Sequence, residues 1–238
     1  MGEFGRLLRP PLLVVSPHLD DAVLSCGRLL ALHPGSTVLT ALAGSPPAWE
    51  ELTLWDGLCG FGPGDDVMAA RLIEDRAALA ALGATQLTIE ANDSQYGQLE
   101  QRAELVRSGI QAALDRMGAG TCAIPLGLQH PDHQEVRRIA LSCVAATGSA
   151  LDWVVYEDLP YGRSDPGGTA HDEAVAAIES AGFRLSDLRP ALDPEMTAKA
   201  AAVACYPSQL LALRLSPTFD ADIEVERYWS LAPAQRLA

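Results

Sequence analysis

LLVVSPHLDD, residues 12–21, is the stretch of sequence that decides the fold. Its apolar half predicts a short buried strand, which the Ser-Pro pair brings to an end. Asp20 and Asp21 then predict the start of a helix that runs to about His33, because aspartates are common at helix N-termini. In open α/β sheets, ligands bind outside the carboxyl ends of the strands. The imidazole of His18 and the two carboxylates therefore lie where a functional site is expected.

The rest of the chain alternates between short apolar segments and amphipathic segments. The further predicted strands are residues 36–43, 86–89, 121–125, 153–156 and 184–188, and the further helices are residues 66–83, 98–117, 131–146, 171–181 and 194–205. Residues 44–65 are rich in glycine and proline and predict a long loop, and the tail after Pro207 gives no clear pattern. The alternation predicts a single Rossmann-like α/β domain over residues 1–238, with a doubly wound, mostly parallel sheet and helices on both faces.

Composition and charge narrow the class of protein. The 238 residues are 48% hydrophobic, which is enough for a substantial core. A formal net charge of -14 argues against binding to nucleic acid or to an anionic membrane surface. The five cysteines are scattered without a C-x-x-C pair, which favours reduced thiols and predicts a cytoplasmic protein. We expect neither a signal peptide nor a membrane span.

Residues 130–133, HPDH, are the second informative stretch. They follow a predicted strand and a turn, and Pro131 suits the first position of a helix. In a doubly wound sheet this junction and the one at residues 18–21 lie at the same edge. Two imidazoles and a carboxylate are a common ligand set of hydrolytic zinc sites, which leave positions open for water and substrate. We therefore predict that His18, Asp21 and His133 bind zinc or another divalent metal.

Two neighbouring side chains are predicted to act on the reacting groups. Asp20, beside a predicted ligand, is placed to accept a proton from the water that the metal activates. His130 is expected to face the reacting carbonyl. The structural alternative is that Asp20 and Asp21 only cap a helix. The occurrence of His-x-Asp-Asp and His-x-Asp-His at equivalent strand ends favours the metal site.

The same two motifs resemble the signature motifs of the PIG-L/LmbE-like family of zinc-dependent N-acetylglucosaminyl de-N-acetylases. Residues 71–83 are similar to the middle helix of that family, and residues 206–209 and 226–229 resemble its C-terminal pattern. The resemblance thus covers about residues 12–229. It implies a zinc-dependent enzyme that removes the N-acetyl group from an amino sugar or glycoconjugate and releases acetate and a free amine.

The resemblance also implies roles for individual residues. The family's zinc ligands match the three residues predicted above, and its general base matches Asp20. His130 corresponds to the residue that stabilises charge in the transition state, and Asp132 to an acid that orients it. Arg71 and Asp93 correspond to residues that contact sugar hydroxyls. For Arg71 a surface salt bridge with an acid on the same helix is an equal alternative, and for Asp93 a plain turn is the alternative.

One departure from the family pattern concerns the oxyanion. Some relatives carry a tyrosine two residues before the second motif as an oxyanion donor, whereas this chain has Leu128 there. Either His130 and the metal act alone, or a tyrosine from elsewhere takes the role. Tyr96, Tyr156 and Tyr161 are the alternatives.

Other functions stay open at this stage. An amidase that acts on another N-acyl substrate, such as a thiol conjugate, would use the same metal chemistry. A sugar-binding relative without catalysis is a second alternative. A nucleotide-binding protein is a third, but no G-x-G-x-x-G or P-loop motif follows the first strand. We expect a small-molecule substrate, and the sequence does not predict an oligomeric state.

Overall fold

The structure is a computed structural model that describes residues 7–46, 52–97, 100–147, 150–193, 196–216 and 225–234. The strands are β1 (Leu12–Ser16), β2 (Thr37–Thr40), β3 (Thr85–Thr88), β4 (Gly120–Pro125), β5 (Leu151–Tyr156), β6 (Phe183–Leu188) and β7 (Tyr228–Pro233). The helices are α1 (Asp21–Leu32), α2 (Leu54–Leu58), α3 (Val67–Ala81), α4 (Arg102–Met117), α5 (Pro131–Ala146), α6 (Thr169–Ser180), α7 (Thr197–Val203) and α8 (Pro207–Leu213). Short 3-10 helices lie at Ser94–Tyr96 and Tyr161–Ser164.

The seven strands form one sheet in the order β3-β2-β1-β4-β5-β7-β6. The first five strands of this order pair in parallel, and β7 pairs antiparallel with both β5 and β6. The reversal of strand order on either side of β1 is the doubly wound arrangement, in which ligands bind where the order reverses. The prediction of a Rossmann-like, mostly parallel α/β sheet is confirmed.

Strand β1 is apolar throughout because helices cover both faces of the sheet. Its side chains alternate, so that Leu13 and Val15 enter the core layer that contains α4, α5 and α6. Leu12 and Val14 enter the opposite layer, against α1, α3 and α7. Packing on both faces of the sheet therefore holds β1 in place. Residues 18–21 follow its carboxyl end and lie at one edge of the sheet.

Several element boundaries differ from the sequence-based expectation. The predicted loop at residues 44–65 contains α2, which Thr53 caps by accepting the Asp56 N–H at 3.0 Å. The unclear tail forms α8 and β7. Residues 98–99 and 194–195, where two helices were predicted to begin, lie outside the described residues. Among the described helices, none combines the length and apolar character that crossing a membrane requires.

A buried ion pair joins the C-terminal part of the chain to α1. The backbone of α1 leaves helical geometry at Cys26, with φ −131° and ψ 15°. Beyond this break, the Glu226 carboxylate accepts the N–H groups of Arg28 at 2.8 Å and Leu29 at 3.3 Å. Lys199 Nζ lies 2.7 Å from the same carboxylate, and both side chains are fully buried. The pair therefore fixes α7 and the start of β7 against the helix that carries Asp21.

We expect the Lys199→Met variant to lose about 3–5 kcal/mol of unfolding free energy, because Glu226 would be left buried without its cation. The double variant Lys199→Met/Glu226→Gln should recover much of this loss. Guanidinium denaturation measures both values. Glu104→Gln, in the exposed pair with Arg107, is the control and should show no measurable loss. A Lys199→Met variant as stable as this control would contradict the role of the pair.

Candidate functional site

A cavity of about 350 Å³ opens at the carboxyl ends of β1, β4 and β5. Six of the eight predicted site residues line this cavity. The other two, Asp132 and His133, are fully buried and are not part of its wall. The lining side chains are His18, Asp20, Asp21, Leu24, Trp55, Arg71, Asp93, Ser94, Gln95, His130, Pro160, Tyr161, Gln209 and Leu213. The structure thus brings the two motifs together at one edge of the sheet.

The three predicted metal ligands form a compact triangle. His18 Nδ1 lies 3.2 Å from Asp21 Oδ2, and His133 Nε2 lies 3.2 Å from each of these two atoms. Tetrahedral zinc with bonds of about 2.0–2.1 Å separates its ligand atoms by about 3.3 Å. The three atoms therefore have the mutual spacing that one tetrahedral cation requires, with one position left for water or substrate.

A second group, His18, His130 and Asp132, could also hold a cation. It is the weaker candidate, because His130 is only partly buried and the Asp132 carboxylate already has an arginine as its counterion. His130 Nδ1 accepts the Asp132 backbone N–H at 3.2 Å, and Asp132 Oδ1 lies 2.9 Å from Arg102 Nη1. The fully buried triangle of His18, Asp21 and His133 has the better geometry.

The start of α1 explains why the two adjacent aspartates act differently. Asp21 Oδ2 accepts the His18 backbone N–H at 2.8 Å, so the turn itself places this carboxylate beside the imidazole. Asp20 has φ 143°, a strained value for a residue other than glycine, and its side chain makes no capping hydrogen bond. Capping alone therefore does not account for either carboxylate.

Each imidazole of the triangle contacts a carboxylate on its other ring nitrogen. His133 Nδ1 lies 2.7 Å from Asp158 Oδ1, and His18 Nε2 lies 3.2 Å from Asp132 Oδ2. Such partners select the nitrogen that faces a metal and increase its basicity. Asp132 was expected to orient His130, but its carboxylate contacts His18 instead, and only its backbone N–H reaches His130.

Asp158 is a residue of the site to which the sequence reasoning assigned no individual role. Its Oδ2 accepts the N–H groups of Gly127 at 2.7 Å and Leu128 at 3.1 Å, while its Oδ1 contacts His133. The carboxylate therefore joins the β4–α5 turn to the segment after β5. The available signal was an acidic pair, Glu157 and Asp158, directly after a predicted strand at the same edge of the sheet.

His130 is placed as a neutral hydrogen-bond donor. It is the N-terminal cap of α5, and its Nδ1 accepts a backbone N–H there, so the proton of the neutral ring is on Nε2. Burial and the neighbouring imidazoles of His18 and His133 lower the pKa of His130. A donor that lines the cavity without a full charge suits an oxygen that gains negative charge during a reaction.

The charges of the site favour a bound cation. Burial and the Asp21 carboxylate raise the pKa of Asp20 to about 8. Burial lowers the pKa of His133, but Asp21 and Asp158 outweigh burial and bring it to about 9. Burial would raise the pKa of Asp21, but His133 and His18 hold it well below its usual range. These buried carboxylates thus depend on nearby positive charge, which a divalent cation would supply.

Arg71 is buried and lines the cavity from α3. The alternative of a surface salt bridge is not seen, because both acids of that helix bind elsewhere. Glu74 accepts Ser208, and Asp75 accepts Tyr206 and Gln86. The buried Arg71 Nε has no hydrogen-bond partner among the described residues, and the side chain forms part of the cavity wall that a ligand would meet.

Asp93 lies in a turn and also lines the cavity. Its carboxylate accepts the backbone N–H of Gln95 at 3.1 Å and the side-chain amide of the same residue at 3.0 Å, as in a capped turn. It also lines the cavity and lies 3.7 Å from His18 Nε2. A ligand in the cavity would therefore meet a carboxylate whose position the turn already fixes.

These features define a class of protein: a Rossmann-like α/β fold with a buried His-Asp-His triangle that could hold a metal ion, beside a second buried acid. The chain belongs to the PIG-L family of GlcNAc-PI de-N-acetylases, whose sequence profile matches residues 13–144. The family and the enzyme class predicted from the two motifs are confirmed. No curated protein matches the chain.

Solved structures of deacetylases share the fold over nearly the whole chain. The A40926 pseudoaglycone deacetylase Dbv21 is 25% identical, with a TM-score of 0.77, covering 94% of this chain and 98% of its own. The zinc-inhibited form of the teicoplanin deacetylase Orf2 gives the same identity and TM-score, with 94% and 99% coverage. A deacetylase–teicoplanin complex is 26% identical, with a TM-score of 0.73 and coverage of 94% and 99%.

We expect Asp158→Asn to bind zinc about 10–100-fold more weakly than the wild type, because the amide cannot accept from His133 and the turn N–H groups at once. Competition with a chelator measures this affinity. Asp152→Asn, at an exposed position of β5, is the matched control and should bind zinc as the wild type does. Unchanged affinity in Asp158→Asn would show that this carboxylate does not support the metal triangle.

Proposed function

We propose that the chain is a metal-dependent N-deacetylase whose residues 1–238 form one deacetylase domain. It hydrolyses the N-acetyl group of an amino sugar within a glycoconjugate and releases acetate and a free amine. The observation that carries this proposal is the triangle of ligand atoms 3.2 Å apart beside Asp20, whose carboxylate lines the same cavity. The teicoplanin and A40926 deacetylases of the same fold support a glycoconjugate as the substrate.

His18, Asp21 and His133 would hold zinc or another divalent ion. When bound, such an ion polarises the acetamide carbonyl and lowers the pKa of water toward about 7. The zinc-inhibited form of the teicoplanin deacetylase supports the binding of zinc by this fold. Because zinc inhibits that enzyme, the metal analysis below also tests other divalent ions as the activating metal.

The remaining steps belong to side chains of the cavity. Asp20 would accept the proton of the attacking water, since its carboxylate makes no capping bond and reaches the cavity, and the charge of a bound cation would offset the raised pKa and keep it ionised. The His130 Nε2–H donates to the carbonyl oxygen as that oxygen gains negative charge, a contribution of about 3 kcal/mol for a well-placed donor. Protonated Asp20 then donates its proton to the leaving amine.

Two further parts of the proposal concern binding and location. Arg71 and Asp93 bind hydroxyl groups of the sugar, which is supported by their place in the cavity wall. The reaction takes place in the cytoplasm, which is supported by five cysteines that are all free.

The test of the proposed function is amine release from a panel of N-acetylglucosamine conjugates, glycopeptides included, by metal-loaded and chelator-treated protein. Bound metal is quantified in the same samples. We expect about one metal ion per chain and release that the chelator abolishes. A protein that binds no metal would overturn the mechanism. A protein that binds metal but cleaves only N-acyl compounds other than sugars would overturn the substrate class.

Single replacements distinguish the proposed metal ligand His133 from the proposed general base Asp20. His133→Ala should lose both metal and turnover, whereas Asp20→Asn should keep the metal and lose about 10²–10⁴-fold in kcat. His171→Ala, which changes an imidazole that packs on Trp229 outside the cavity, is the control and should keep both properties. Full turnover in Asp20→Asn would contradict the assignment of the general base.

A further inference from the structure

Position 128 cannot supply the oxyanion donor that a tyrosine supplies in some relatives. Leu128 is fully buried in the core layer of α4, α5 and α6, and it does not line the cavity. Its backbone N–H is bound to Asp158. If a second protein donor complements His130, it must therefore come from another part of the chain.

Tyrosine hydroxyls are the natural replacements, and the structure distinguishes among the five. Four of them donate to protein acceptors, namely Tyr96 to Asp56, Tyr156 to the Val15 carbonyl, Tyr206 to Asp75 and Tyr228 to Glu226. The remaining one, Tyr161, is half-buried and lines the cavity. Its hydroxyl has no hydrogen-bond partner among the described residues.

The Tyr161 ring lies against the imidazoles of the site. Its centroid is 5.0 Å from that of His133, edge to face, and 6.2 Å from that of His130. The ring therefore borders both a metal ligand and the proposed donor. A phenol keeps its proton at neutral pH, and burial raises the pKa of Tyr161 further above its usual value of about 10, so Tyr161 would act as a donor.

The backbone around Tyr161 is fixed, which an effective oxyanion donor requires. The Gly162 N–H donates to the Asp158 carbonyl at 2.9 Å, and the Ser164 hydroxyl donates to the Tyr161 carbonyl at 2.9 Å. The Asp158 side chain contacts His133 and the turn before it. The residue that orients a metal ligand thus also anchors the short segment that carries Tyr161.

We propose that Tyr161 is a catalytic residue whose hydroxyl donates a hydrogen bond to the acetamide oxygen as that oxygen gains negative charge. Tyr161 and His130 together then replace the donor that is absent at position 128. This inference rests on the proposed function. Its rival is that the Tyr161 ring only stacks on a sugar, and the two roles differ in whether the hydroxyl or the ring is needed.

Two variants of the metal-loaded protein separate these roles. Tyr161→Phe keeps the ring and removes the hydroxyl, and we expect kcat to fall about 10²-fold with KM and bound metal unchanged. Tyr161→Ala removes both groups and should lose at least as much in kcat. Tyr228→Phe removes a hydroxyl outside the cavity and is the matched control, with kcat unchanged. Wild-type kcat in Tyr161→Phe, with a raised KM in Tyr161→Ala, would overturn the proposal in favour of stacking.

A binding measurement tests the role of the Tyr161 hydroxyl independently of turnover. Methylphosphonate resembles the tetrahedral, negatively charged form of the acetyl group, and calorimetry measures its affinity for the zinc-loaded protein. We expect binding to Tyr161→Phe to be about 10-fold weaker than to the wild type, because one donor to an anionic oxygen is lost. Equal affinities would overturn the role of Tyr161. Absence of wild-type turnover would instead overturn the proposed function and leave this comparison valid.

Discussion

The site depends on one carboxylate, because Asp21 Oδ2 contacts both imidazoles of the triangle and the backbone N–H of His18. Burying such a carboxylate is unfavourable unless positive charge and hydrogen bonds compensate. The parallel pairing of β1 with β4 provides this compensation, since it brings the ends of two strands that are far apart in sequence to the same edge. His133 can therefore reach a carboxylate that lies more than a hundred residues before it.

From this centre, interactions extend outward in two directions. Asp132 contacts His18 and is paired with Arg102 at the start of α4. Asp158 contacts His133 and also holds the turn that precedes it. Each imidazole is thereby fixed in one orientation, with its remaining nitrogen directed at the same point. The sheet brings the two imidazoles together, and the carboxylates of Asp132 and Asp158 fix the orientation of each ring.

The sequence predicted those parts of the structure that depend on local signals. Helix α5 has its predicted bounds, because Pro131 marks its start, and the two motifs at strand ends bring His18, Asp21 and His133 together as expected. Strand β7 was missed because it inserts between β5 and β6, and its pairing with strands tens of residues away leaves no local pattern. The contacts of Asp132 and Asp158 were missed for the same reason, since their partners are distant in sequence.

The strained backbone of Asp20 connects the fold to the proposed chemistry. An ordinary N-terminal aspartate directs its carboxylate toward the first N–H groups of its helix. In α1 the Asp20 carbonyl still accepts the N–H groups of Val23 and Leu24 at 2.9 Å each, but φ 143° turns the side chain away from them. A strained conformation of this kind costs about 1–3 kcal/mol and persists only where its surroundings enforce it. In this strained conformation the Asp20 carboxylate makes no capping bond and faces the cavity beside His18, Asp21 and His133. That is the position that a general base needs.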